Sequence, residues 1–236
     1  MEKLEHPTLI GTLLSWIGLH VPEHVLMTWL VMAILIALGY FISRNITFIP
    51  SRLQSVIEIL VLALDNLLED TVGPKGRKYL PLVGTLALYI FLSNILGLIP
   101  GFKSPTSSLN TTASCALVVF IYYNYQGIRE HGAWNYIRHF MGPGLGEKNI
   151  PWLAPLMFPV EIISHVARPL SLSMRLFGNI MGEDLVLAVL MVYITPLVVP
   201  LPMMFMAVFT SLIQTFIFVL LTCLYLAGAV AGEEEH

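Results

Sequence analysis

Charge is scarce in this sequence. Lys, Arg, Asp and Glu make up 11% of its 236 residues, against roughly 25% in an ordinary soluble domain. Hydrophobic residues reach 56% and mean hydropathy is +0.79, more apolar surface than one water-soluble core could hide. A soluble fold is excluded. An excess of basic residues is also missing, the formal net charge being −3, which argues against a nucleic-acid partner. Cysteine is limited to Cys115 and Cys223, both inside apolar runs and without metal-ligand or disulfide spacing. No H-E-x-x-H signature or nucleophile–base motif appears, so neither an intramembrane enzyme nor a cofactor or resident metal is expected. No repeated halves with matching helix breaks are visible, as an ion-coupled secondary transporter would normally show.

What is there is a series of long apolar blocks. The start, MEKLEHPTLIGTLLSWIGLHVPEH, lacks the basic start and small-residue cleavage site of a secretory signal and is expected to remain on the protein. Within this external segment, 1–24, the stretch from Leu9 to Leu19 is too short to cross about 30 Å of hydrocarbon and reads as an interfacial helix anchored by Trp16. Spans are expected at 25–42, 79–99 and 111–126. Between the first two, 50–70 carries Gln54, Glu58, Asp65 and Glu69 among apolar residues at helical spacing, the pattern of an amphipathic surface helix. The segment 127–149 reads as a solvated loop or surface helix. Beyond it, 151–193 and 203–230 are two apolar blocks longer than a perpendicular span requires, so they are expected to tilt, bend or break. The fold expectation is therefore all-α and polytopic. One membrane-embedded domain has about five membrane-embedded helices, including two long tilted C-terminal helices, plus the amphipathic surface helix.

Eight basic residues, Arg44, Arg52, Lys75, Arg77, Lys78, Arg129, Arg138 and Lys148, fall in two loops that the span count puts on one side. Only Lys3 and Lys103 fall on the other. The positive-inside rule makes the richer side cytoplasmic, with the N-terminus outside and the C-terminus inside.

Ionisable residues inside a membrane helix are costly and usually serve transport or proton transfer. They concentrate in EIISHVARPLSLSMRLFGNIMGED. At about 100° per residue, Glu161, His165, Arg168, Leu172, Arg175, Asn179 and Glu183 fall within a stripe about 80° wide. Such a stripe either lines a hydrated proton path or forms a salt-bridge seam that packs helices together, and for Glu161, His165 and Arg168 both readings stand. Arg175 resists the second reading, because no carboxylate lies three or four positions away. A permanently charged Arg at mid-membrane costs from about 3 to over 10 kcal/mol. Leu176 to Gly178 and Gly182 keep its helix slim, so that a neighbour can approach closely. In the last block Thr210 and Gln214 share a face, where Gln214 either supports Arg175 across the helix pair or makes a plain interhelical hydrogen bond. Asn94 in the second span is either a path-lining group or a packing bond. Pro169 removes a backbone donor just after Arg168 and favours a kink. Trp29, Trp134 and Trp152 are most simply interface anchors or lipid-facing fillers.

The residues SLSMRLFGN, the Gly182–Glu183 pair and Gln214 in FTSLIQTFIFVLLTCLYL closely resemble subunit a of the F-type ATP synthases. The resemblance extends to SNILGLIPGF, which holds Asn94, and to PTSSLNTTASCALVVF from Pro105, covering most of the chain beyond the first span. It implies a non-catalytic stator subunit with two offset aqueous half-channels beside a rotor ring of c subunits, each bearing a membrane carboxylate. Peripheral-stalk b subunits and the remaining ATP synthase subunits, the lipid bilayer and the translocated proton are its implied partners, with no nucleic acid and no cofactor. Arg175 matches the family's essential arginine. Glu161, Asn179, Glu183 and Gln214 match half-channel or arginine-supporting positions, and Asn94 a further path position. Some relatives place a His seven residues before the Gln, paired with the acid matched here by Glu183. This sequence has Ala207 at that place, and His165 on the same stripe is the expected partial substitute. The absence of a transit peptide and the short outside terminus point to a bacterial inner (plasma) membrane, an organelle-encoded protein being the other option. The competing functional readings are a secondary transporter and a purely structural membrane subunit.

Overall fold

The computed structural model describes residues 22–44, 52–99, 102–132, 154–193 and 200–230. Six α-helices make up nearly all of them: α1 (Glu23–Arg44), α2 (Arg52–Val72), α3 (Leu80–Gly97), α4 (Leu109–His131), α5 (Ala154–Tyr193) and α6 (Pro200–Val230). Two 3-10 turns, Gly76–Tyr79 and Pro105–Ser107, precede α3 and α4. Among the described residues there is no strand. The protein is an all-α polytopic membrane protein. The interfacial helix expected at Leu9–Leu19 with its Trp16 anchor, and the tryptophans Trp134 and Trp152, lie outside the described residues.

Three stretches are long and apolar enough to cross a membrane by composition alone: Glu23–Arg44, Gly76–Gly97 and Leu201–Val230. The other long helices fall short for a physical reason. α4 opens on Asn110, Thr111 and Thr112 and closes on Arg129 and Glu130, and α5 carries the charged stripe. Both are sheltered by neighbours, α4 packing on α5 and α6, and α5 on α6. With 40 residues, α5 is about 60 Å long at 1.5 Å per residue, twice the hydrocarbon thickness. It stays helical through Pro159 and Pro169, and Pro169 leaves the carbonyl of His165 without its usual i+4 donor.

The main core lies where five helices meet. Leu64 and Leu68 of α2, Val83, Ala87 and Ile90 of α3, and Ala116, Val119 and Tyr123 of α4 enter it. They meet Leu172, Leu176 and Ile180 of α5 and Phe218, Val219, Cys223 and Leu226 of α6. The first helix joins only at the periphery, through Met27 and Val31 against Leu96 and a Tyr89-to-Thr28 hydroxyl bond of 3.4 Å. Apolar side chains elsewhere face outward, among them Trp29, Ile36 and Phe41 on α1 and Phe205, Phe209 and Phe216 on α6, as expected of a surface solvated by lipid. The amphipathic α2 turns Leu64 and Leu68 inward and leaves Val56, Ile59 and Leu62 uncovered.

Each end of the bundle has its own fastening. At the basic end, Lys78 pairs with Glu130, and that ammonium holds the Glu130 carboxyl below the usual carboxylate range. Arg77 lies 3.5 Å from Asp65. Gly73, at φ +85°, stops α2 in the left-handed region. The chain then turns so tightly that a Cβ on Gly76 would stand 2.5 Å from the Leu68 carbonyl oxygen. At the opposite end the turn Pro105–Ser107 touches α1, α3, α4 and α5 and forms a buried polar knot. Ser104 donates to the Ser93 carbonyl at 3.0 Å and meets Thr106 at 2.7 Å, and Thr106 donates to Asn94 Oδ1 at 2.6 Å.

Candidate functional site

The charged stripe of α5 follows the seam where this helix meets α4 and α6, and three contacts define the register with α6. Arg168 stacks over the ring of Tyr225 at 5.5 Å, Asn179 Nδ2 donates to Gln214 Oε1 at 2.9 Å, and the Thr210 hydroxyl faces the Glu183 carboxylate. From one contact to the next, α5 advances by the number of residues that α6 retreats, as an antiparallel pair in fixed register must. Arg175 therefore falls level with Phe218, which is fully buried and apolar.

Arg175 is exposed, as are its stripe neighbour Asn179 and the adjacent Gly178 and Gly182. Leu172, which the helical wheel placed in the same stripe, is only 1% exposed and sits in the core with Leu176 and Ile180. Across the stripe burial therefore changes: Leu172, on one side of its midline, is buried, whereas Arg175, at the opposite edge, is exposed. Among the described residues no carboxylate pairs with Arg175. A Cβ at Gly178 or Gly182 would meet nothing within 4 Å, so the face around the guanidinium is open to a close neighbour.

Toward the start of α5, Glu161 Oε1 lies 3.6 Å from His165 Nε2 and 4.0 Å from Arg168 Nη2. His165 Nδ1 lies 3.3 Å from the Tyr123 hydroxyl of α4. This cluster gathers acid, imidazole, guanidinium and phenol from two helices, with the Tyr225 ring of α6 closing it. Ordinary helix-seam pairing explains the Glu161–Arg168 contact, whereas the inward-turned imidazole adds a group able to take and give a proton near neutral pH.

Toward the end of α5 two acids stand side by side, and the second was not among the residues singled out from sequence. Asp184 lies on the inner row with Ile180 and Leu187, both buried. There it meets the Ser107 hydroxyl and the field of Lys103 from the polar turn. Its Oδ2 is buried without a hydrogen-bond partner. The signal was present as spacing: Leu172, Leu176, Ile180, Asp184 and Leu187 follow the core period of the helix, so a carboxylate at Asp184 had to enter the packed face.

Three sequence expectations take a different form. Gln214, 1% exposed, reaches α5 at Asn179, one turn past Arg175, and leaves its own Nε2 unpartnered. His165 does not serve Glu183, because the two are separated by about five turns of the same helix. Glu183 has the Thr210 hydroxyl instead, and Ala207 is buried without polar function. Asn94, 3% exposed, is bound into the knot with Thr106, so its carbonyl is committed to fastening the turn, while its Nδ2 has no partner. No group of three or more His, Cys, Asp or Glu able to hold a metal occurs among the described residues.

Comparison with known proteins matches residues 25–227 to the family model of the ATP synthase A chain. "ATP synthase subunit a 2" of Syntrophotalea carbinolica is 47% identical over 214 residues, spanning 91% of this chain and 87% of that protein. "ATP synthase subunit a" of Desulfosudis oleivorans is 43% identical over 238 residues, spanning 99% of this chain and all of that protein (100%). The subunit a of Geobacter sulfurreducens is 46% identical over 209 residues, spanning 89% and 87%. A helical bundle with a charged seam, three apolar spans and relatives of this kind leads to one assignment. The chain belongs to the ATP synthase A chain family, the membrane-sector subunit of F-type ATP synthases that serves proton transport coupled to ATP synthesis.

Proposed function

We propose that this chain is the proton-translocating stator of its complex, providing two half-channels to a rotor ring of c subunits and holding Arg175 between them. The observation that carries the proposal is Arg175 itself: a permanent charge at mid-helix, exposed, with no carboxylate paired to it among the described residues. Such a charge needs a counter-ion supplied from outside the chain, and a carboxylate on a passing rotor helix fits the open, glycine-lined face. Beside the guanidinium that carboxylate is favoured in its ionised form, so it gives up its proton and cannot pass still neutral. Each proton crossing yields about 2.3 kcal/mol per 100 mV, so several must be summed for each ATP, a task suited to a ring.

In this reading the outer half-channel runs past the polar turn to Asp184, Glu183, Asn179 and Gln214, with Asn94 at its wall. Buried polar atoms without protein partners, Asn94 Nδ2, Asp184 Oδ2, Ser211 Oγ and Gln214 Nε2, support it, since such atoms in a native interior normally bind water. The inner half-channel runs past Arg168, His165 and Glu161. The chain is non-catalytic, resides in a bacterial plasma membrane and also contacts the peripheral-stalk b subunits.

The test is ATP-driven proton pumping in inverted membrane vesicles carrying Arg175→Ala, with ATP hydrolysis and passive proton leak followed in parallel. Loss of pumping in a complex that still assembles is expected. Normal pumping would return the stripe to a packing role.

A further inference from the structure

The contact between Tyr123 and His165 has no assigned part in the proton path proposed above. Tyr123, on α4, is 1% exposed, and its ring packs edge-on against Phe120 at 5.5 Å and lies 6.0 Å from Tyr225. Apolar packing accounts for the ring but not for the hydroxyl, which a Phe would omit without loss of contact area. That hydroxyl stands 3.3 Å from Nδ1 of His165, whose side chain is 12% exposed.

The two faces of the imidazole are chemically distinct. Nε2 faces the Glu161 carboxylate at 3.6 Å. An ionised carboxylate only accepts, so the favourable arrangement places a hydrogen on Nε2. In the neutral ring Nδ1 is then a bare lone pair, and the Tyr123 O–H is the donor that matches it. Arg168 on the same helix, 4.0 Å from Glu161, also faces the Tyr123 hydroxyl, and Tyr225 on α6 lies under the Arg168 guanidinium.

We propose that Tyr123 is a positioning residue for the inner half-channel: by donating to Nδ1 its hydroxyl stabilises the Nε2–H tautomer of neutral His165 that the Glu161 carboxylate favours, so that the imidazole hydrogen faces Glu161. The inference rests on the proton-path reading above and adds a residue from α4, a helix to which that reading gives no part in the inner half-channel. It accounts for the burial of a phenol at a place where packing needs only a phenyl. It also explains why His165 faces inward while the exposed Val166 beside it faces outward.

The test is a mutant cycle on the pH profile of ATP-driven pumping, using the whole complex in inverted vesicles. Tyr123→Phe keeps the ring and removes the hydroxyl. It is expected to move the profile by about 0.5–1 pH unit, the size one hydrogen bond supplies, with ATP hydrolysis reporting assembly. In a His165→Gln background the same change is expected to move nothing further. An unmoved profile in the parent background, or equal displacement in both backgrounds, overturns the proposal, the latter by showing that Tyr123 acts through packing. Arg175→Ala is run alongside: if it pumps normally, the proton-path reading itself has failed, whatever Tyr123 does. A second measurement requires no change at Tyr123. Solid-state nitrogen NMR of histidine-labelled complex, with His165 assigned by difference against His165→Gln, reads the tautomer directly. An Nε2–H signal supports the proposal, and an Nδ1–H tautomer for neutral His165 overturns it.

Discussion

Gly97 shows how a single missing methyl group positions a functional surface. A Cβ there would stand 2.6 Å from Ser104 Cβ and 3.2 Å from the Ser104 backbone, and backbone cannot give way as the end of a flexible side chain can. Ser104 in turn holds the Ser93 carbonyl and touches Thr106, which holds Asn94. Gly97→Ala is therefore expected to push the polar turn outward, break the knot and carry Ser107 away from Asp184. Overpacking of this kind costs about 1–3 kcal/mol, so a lower unfolding temperature of the purified complex and weaker pumping are expected together. A variant with unchanged stability would show that the turn is free to move.

At the scale of elements the decisive quantity is the register between α5 and α6. Placing Asn179 opposite Gln214 and Glu183 opposite Thr210 predicts which cysteine pairs a short bis-thiol reagent will join. After Cys115→Ala and Cys223→Ala remove the two buried native thiols, cysteines introduced together at Asn179 and Gln214, or at Glu183 and Thr210, are expected to cross-link. A pair at Arg175 and Gln214 is expected to react poorly, and the opposite ranking would mean that α6 is slipped by one turn. This register was out of reach of the sequence, which puts Thr210 and Gln214 on one face and charges on another without saying which turn meets which. The apolar blocks and the α5 stripe were legible because 3.6-residue periodicity and charge scarcity are local properties. Asp184, Tyr123 and the Ser104–Thr106–Asn94 knot were not, because their roles arise only when α4, α5 and the turn come together. Leu172 and Arg175 make the same point, lying near one another on a helical wheel yet falling on opposite sides of the line where the neighbouring helices end.

For the molecule as a whole, direction across the membrane decides what each half of α5 does. The basic end carries Lys75, Arg77 and Lys78 at the start of α3 and Arg129 at the end of α4, whereas Lys103 stands beside the polar turn at the other end. In the orientation we propose, with Lys and Arg retained on the cytoplasmic side, the Glu161–His165–Arg168 cluster lies toward the cytoplasm and Glu183 with Asp184 toward the outside. Protons driving synthesis would enter by the two acids at the end of α5 and leave past His165. Single cysteines at Lys75, Lys103 and Arg129 in the cysteine-free chain, treated with a membrane-impermeant maleimide, test this directly. Lys75→Cys and Arg129→Cys are expected to label in inverted vesicles and Lys103→Cys in right-side-out vesicles. The reverse pattern would exchange entry and exit, making the Tyr123–His165 pair a device for proton uptake during synthesis and the polar turn the wall of the exit. The same three labels therefore determine both the topology of the chain and the sense in which its asymmetric seam is read by the proton.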